Sequence, residues 1–320
     1  NIGAESGGSP QQGSNVWKYG NPGVITPTGT SFTSLAGAPA AWRSGPRLAE
    51  AAYPDVLVAR AVTDGTALDL VLHRHLKAGA VHAHLDRDLS LKQPAPGEQA
   101  ASGGRHPLPS RERFAAWLSS IGFINGMQAV VYDRNGCNYC GRLWWMLKWA
   151  GHDAVAVLDG GLQAWTAAGG AVLAGAEPAR TPANFTLQTP LRRLTSAAEV
   201  LAALGQDGQT VLDARAAPRY RGEVEPLDPV AGHIPGALNR PFTENIAADG
   251  RFKPAQLLRA EFQALLQGRP AATVVHQCGS GVSALPNLLA MEVAGLGPTA
   301  LFAGSWSEWC SDPQRPVERG

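Results

Sequence analysis

The sequence predicts an α/β protein made of two copies of one domain, each a mostly parallel sheet flanked by helices. Two observations carry this. Residues 130–165 and 274–309 run in the same order: apolar run, Gly-containing loop, helix-like segment, second apolar run, and a Gly turn leading to Trp. Ala150-Gly151 and Trp165 match Ala294-Gly295 and Trp309 at one offset of 144. Within each copy, short apolar runs alternate with helix-like spacing, which argues for parallel strands with helical crossovers. A repeat of about 145 residues is too long for a solenoid unit and fits a duplicated domain.

The elements follow in order. Residues 1–30 are rich in Gly, Ser, Pro and Gln, and predict an extended arm or tag remnant that builds no core. Residues 31–175 form the first copy. Its segment Gly104-Arg105, Pro107, Phe114 and Leu118 parallels Gly250-Arg251, Pro254, Leu258 and Phe262 of the second. Residues 176–192, punctuated by Pro178, Pro182 and Pro190, predict the linker. Residues 193–320 form the second copy, with strands at 210–212, 273–275 and 299–302 and helices at 196–204, 254–266 and 285–294. Trp144, Trp145 and Trp149 lie on one helix-like segment at spacings that favour core packing over a cofactor cage.

Composition narrows the function. The chain has 320 residues with 27 Lys+Arg against 26 Asp+Glu, a net charge of +1, so nothing points to nucleic acid or an anionic membrane surface. No apolar run approaches the length of a membrane-spanning helix. The start at Asn1 carries no basic segment followed by an apolar core. Four cysteines are too few for a disulfide scaffold, so they read as thiols of a reducing compartment, the cytoplasm.

One loop carries chemistry. The run Thr273-Val274-Val275 leads into His276-Gln277-Cys278-Gly279-Ser280-Gly281-Val282-Ser283-Ala284, and a helix follows with Pro286 in its first turn. Glycines at 279 and 281 let backbone N–H groups converge as an anion nest, and the helix dipole adds positive potential there. A cysteine between a strand end and a helix start is thereby set up as a nucleophile. In the first copy Asp133 stands where Cys278 stands in the second, so that copy is expected to be catalytically silent. Cys137 and Cys140 form a lone C-x-x-C without a second ligand pair, so no metal is expected. Cys310 has no evident role.

These motifs resemble the tandem-domain sulfurtransferases of the rhodanese superfamily. The loop Cys278–Ala284 is close to the pattern of the 3-mercaptopyruvate sulfurtransferases. Asp213-Ala214-Arg215, Arg219-Tyr220-Arg221-Gly222, Gly232-His233-Ile234-Pro235-Gly236-Ala237 and Gly304-Ser305-Trp306-Ser307-Glu308-Trp309 match as well. The resemblance covers residues 70–320. It implies a ping-pong reaction without a cofactor: Cys278 takes sulfur from a small donor as a persulfide and passes it to cyanide or a thiol, thioredoxin among them. It implies that the amides of Gly279, Ser280, Gly281, Val282, Ser283 and Ala284 stabilise the persulfide. Arg219 falls on the family's substrate-binding position, Arg215 reads as structural, and Ser280 on that of a proton relay, with His75 and Asp64 as its expected partners from the first copy.

Neutral Gly279 and Ser280, where thiosulfate-using relatives carry basic residues, favour 3-mercaptopyruvate as donor. The alternatives are thiosulfate, or a sulfur-carrier module that does not turn over small donors. The family's second substrate arginine is missing from the segment between Arg219 and His233, which reads Glu223-Val224-Glu225-Pro226-Leu227-Asp228. Cysteine phosphatases of the same fold need an arginine at position 284, where this chain has alanine.

Overall fold

In a computed structural model, residues 24–27, 35–36, 56–63, 66–72, 80–167, 172 and 180–320 are described, those before 81 by backbone course alone. The chain divides into two compact units. One comprises residues 1–85, 111–191 and 248–252, and the other residues 86–110, 192–247 and 253–320. The passage between copies thus falls at Leu191–Arg192. Each unit also takes in a short segment from the other half of the chain.

The first unit holds a seven-stranded sheet in the order β2-β1-β7-β6-β3-β4-β5. Its strands are β1 (Val24–Pro27), β2 (Leu35–Ala36), β3 (Val56–Thr63), β4 (Thr66–Leu72), β5 (Ala80–His82), β6 (Gln128–Tyr132) and β7 (Val155–Leu158). The central pairs β1–β7, β7–β6 and β6–β3 are parallel, while β2 and β4 run antiparallel to their neighbours. Val130, Val131, Ala156 and Val157 are buried, as expected of strands covered on both faces. The helix Cys140–Trp149 is buried along its whole length, Trp144 and Trp145 completely, so the tryptophans are core.

The second unit holds a five-stranded, all-parallel sheet in the order β10-β9-β11-β12-β8. These are β8 (Arg193–Leu194), β9 (Thr210–Asp213), β10 (Leu238–Asn239), β11 (Val274–Gln277) and β12 (Ala300–Leu301). The helix Ala197–Ala202 starts at a capping box. The Ser196 hydroxyl accepts from the Glu199 N–H, and the Glu199 carboxylate accepts from the Ser196 N–H. The amphipathic helix Ala255–Leu266 buries Leu258, Phe262 and Leu266, one face at helical spacing. The helix Leu285–Val293 is wholly buried; its two polar residues are paired, Asn287 donating to Arg240 C=O at 2.8 Å and Glu292 pairing with Arg192, and this burial fixes the direction of the loop that precedes it. Trp306, Trp309, Phe302, Val211, Val275 and Ile234 form one core cluster beside that loop.

Asp133 shows what the first unit did with the equivalent loop. Its carboxylate accepts four backbone N–H groups: Asn135 at 2.9 Å, Cys137 at 3.0 Å, Tyr139 at 2.8 Å and Cys140 at 3.1 Å. A carboxylate therefore fills the anion nest from within. Cys137 and Cys140 are both buried free thiols, and burial, the largest influence on each, pushes both thiol pKa values up. That environment suits inert packing more than redox chemistry. Cys310 is also free and buried, and burial raises its thiol pKa in turn.

Candidate active site

β11 delivers Cys278 to the C-terminal edge of the parallel sheet, where ligands of such sheets bind. Cys278 is 2% exposed. The chain turns through 278–284 and enters the helix Leu285–Val293 with proline in its first turn. Gly281 sits at φ +74°, and a Cβ there would run into the Ala303 carbonyl, so only glycine allows this curl.

The turn at 304–307 locks the loop from outside. Cys278 C=O accepts from Trp306 N–H and Gly279 C=O from Ser307 N–H, each at 2.9 Å. Cys278 N–H donates to Ser305 Oγ at 3.1 Å, and that oxygen lies 4.0 Å from Cys278 Sγ. Ser305 pays for this position with a left-handed backbone, φ +54°. The first copy has Gly161 at the matching place, with φ +57°.

Ser280 is nearly buried and its Oγ lies 2.8 Å from His106 Nδ1. His106 Nε2 lies 3.4 Å from Asp86 Oδ1, which Lys92 Nζ approaches to 2.7 Å. The Nδ1 contact is a hydrogen bond whose donor depends on the ring tautomer, whereas the Nε2 contact with Asp86 is an ion-pair distance. Asp86, His106 and Ser280 thus lie in a row, Ser280 being two residues along the loop from Cys278. His75 and Asp64, the partners expected for Ser280, lie outside the described residues. Among the described residues His106 occupies the place next to Ser280.

Two guanidinium groups meet above Gly279. A Cβ on that residue would lie 3.0 Å from Arg105 Nη2 and 3.5 Å from Arg219 Nη1. Arg219 therefore does reach the loop, and Arg105 is a second guanidinium beside it. The Arg105 strand of chain is pinned along the turn: Gly103 N–H donates to Glu308 Oε2 and Arg105 N–H to Ser307 Oγ, both at 3.0 Å. Arg215 stays structural. It pairs with Asp213, donates to Gly232 C=O at 2.7 Å and stacks 4.6 Å over the Trp306 ring.

Sequence reasoning missed Arg105, His106 and Asp86. A signal existed, because Gly104-Arg105 matched Gly250-Arg251 between the copies. It read as part of the first domain, whereas segment 86–110 packs into the second unit. Among the described residues no group of three or more His, Cys, Asp or Glu side chains could hold a metal ion. No helix among them is long and apolar enough to cross a membrane.

Comparison with known proteins gives the family. The rhodanese-like domain family matches the chain twice, over residues 72–168 and 196–312. A Pseudomonas aeruginosa protein named, provisionally, as a 3-mercaptopyruvate sulfurtransferase is 49% identical over 76% of this chain and 84% of its own. A Mycobacterium tuberculosis protein, named with the same reserve as a thiosulfate sulfurtransferase, is 42% identical over 78% and 84%. Among solved structures, the 3-mercaptopyruvate sulfurtransferase from Leishmania major superposes with a TM-score of 0.61 at 27% identity, covering 85% of this chain and 75% of its own.

Proposed function

The chain belongs to the rhodanese-like family and is a sulfurtransferase, and we propose that it takes sulfur from 3-mercaptopyruvate through a Cys278 persulfide. The observation that carries this is the pairing of a proton relay with two arginines at one thiol. The donor's carboxylate is met by Arg105 Nη2 and Arg219 Nη1, the guanidinium nitrogens that face Gly279. The Cys278 thiolate attacks the donor sulfur, the carbon–sulfur bond breaks, and pyruvate leaves as its enolate. Ser280, backed by His106 and Asp86, passes the proton of the donor thiol to the enolate carbon. The amides of 279–284 hold the persulfide anion. In the second half-reaction cyanide, a small thiol or a reduced protein thiol such as thioredoxin takes the outer sulfur and returns Cys278 to its thiolate.

The favoured donor is 3-mercaptopyruvate because a relay ending in Ser280 has a carbon to protonate only there. Thiosulfate leaves as sulfite and needs no such step. Four free, buried thiols fit a reducing compartment, and the cytoplasm is the location we assign. The test is kcat/KM for both donors with cyanide as acceptor. A higher value for 3-mercaptopyruvate is expected, and a higher value for thiosulfate overturns the donor assignment. Cys278→Ser should abolish transfer with either donor and Cys137→Ser should leave it intact. Transfer surviving the first change overturns the mechanism.

A further inference from the structure

The segment that follows Arg219 is built inside out. Val224 and Leu227 are 52% and 60% exposed, whereas the side chains of Glu225 and Asp228 are each 3% exposed. Burying carboxylates while exposing apolar side chains is costly unless cations meet the carboxylates. Here they do. Glu225 Oε1 accepts from Arg219 Nη2 at 2.6 Å, and its Oε2 accepts from Arg219 Nε at 3.2 Å and from Arg215 Nη1 at 3.4 Å. Asp228 pairs with Arg105 through Oδ1 and approaches Arg219 Nη2 to 3.4 Å through Oδ2. The Leu227 and Asp228 N–H groups, at 3.0 and 3.2 Å, fix the Glu225 carboxylate in place. Burial works to raise the Glu225 pKa, but its Arg219 hydrogen bond and these two backbone donors hold it below the usual carboxylate value.

We propose that Glu225 and Asp228 determine specificity by setting the charge of the donor, admitting a single carboxylate and rejecting a dianion. The proposal rests on the sulfurtransferase reading and adds residues to it. The two arginines commit Arg219 Nε and Nη2 and Arg105 Nη1 to these carboxylates, which answers most of their charge, and Arg219 Nη1 and Arg105 Nη2, outside these pairs, are the nitrogens that face Gly279. A monoanionic donor can still take hydrogen bonds from the guanidinium edges. A dianion such as thiosulfate brings a second charge that finds no uncompensated cation and is repelled by two fixed carboxylates. The missing second arginine of this segment is therefore replaced by its electrostatic opposite, with Arg105 Nη2 supplying the second donor above Gly279.

The experiment compares wild type, Asp228→Asn and Glu225→Gln, each checked for folding by circular dichroism. The first readout is the ratio of kcat/KM for thiosulfate to that for 3-mercaptopyruvate. It should rise about tenfold in either variant. The second readout needs no turnover: protection of Cys278 from iodoacetamide by sulfate, a dianion, against protection by acetate, a monoanion. Sulfate should protect the variants at lower concentration than wild type, with acetate little changed. An unchanged donor ratio together with unchanged sulfate protection overturns the proposal, and so does an equal gain for sulfate and acetate. If Asp228→Asn does not fold, Glu225→Gln decides alone. If wild type transfers sulfur from neither donor, the functional reading fails, while the protection assay still decides the charge rule.

Discussion

His106 Nδ1 stands 2.8 Å from Ser280 Oγ although 174 positions separate the two residues in the chain. If that contact delivers a proton to carbon, its loss should be felt by one donor more than the other. His106→Ala is expected to lower kcat with 3-mercaptopyruvate roughly a hundredfold, within the range of general acid–base catalysis. With thiosulfate the loss should stay under about tenfold. Equal losses with both donors would mean that His106 only supports the loop.

Ser305 combines a left-handed backbone with two hydrogen bonds, accepting from Cys278 N–H and donating to Phe302 C=O at 3.0 Å. Ser305→Ala loses both bonds and keeps the strain; Ser305→Gly loses both bonds and relieves it. The glycine variant should therefore be the more stable by about 1 kcal/mol, the reverse of the usual order inside a helix. Urea unfolding of the two variants measures this. An alanine variant as stable as the glycine one would mean the strain is negligible.

Asp133 satisfies four backbone donors with one carboxylate. Asp133→Ala leaves them without their acceptor and should destabilise the first unit by about 3 kcal/mol. The expected reading is a first thermal transition lowered by several degrees, with sulfur transfer per folded molecule retained. A loss of transfer without a loss of stability would show that this loop is not silent.

His276 lies on β11, two residues before Cys278, fully buried, and burial lowers its pKa from 6.5 to about 3. As pH falls below 6.5 the unfolded chain takes up a proton that the folded chain refuses. Stability is then lost progressively down to about pH 3, where the effect levels off. At pH 5 the cost is about 2 kcal/mol. His276→Leu should thus narrow the stability difference between pH 7.5 and pH 5. His152 in the first unit, lowered to about 4 mainly by burial, keeps its own acid sensitivity in the variant. An unchanged difference would mean that His276 carries its charge when folded.

The repeat, the parallel-sheet units and the Cys278 loop were legible because each leaves a contiguous pattern: an apolar run, a glycine loop, then a helix. β8 and β10 are two residues each, and the helix Ala217–Tyr220 is a single turn, too short for periodicity to show. Arg219 and Ser280 were legible because they stand in local motifs of the second copy. Arg105 and His106 were not, because their roles depend on segment 86–110 packing into the unit that begins, in sequence, at residue 192. His75, the histidine expected at the relay, stands in a degraded copy of the His233 motif and lies outside the described residues. Local similarity has no means of registering that a segment has changed units.

That exchange has a consequence for synthesis on the ribosome. The sheet of the first unit is encoded by residue 158, but Phe252 N–H, which donates to Asp159 at 2.8 Å, emerges some ninety residues later. The second unit, in turn, closes on a relay histidine made long before its own strands. Severing the chain at Leu191–Arg192 would leave Cys278 and Ser280 on one fragment and His106 and Asp86 on the other. The fragment from residue 192 onward therefore lacks the segment 86–110 that its unit is built with.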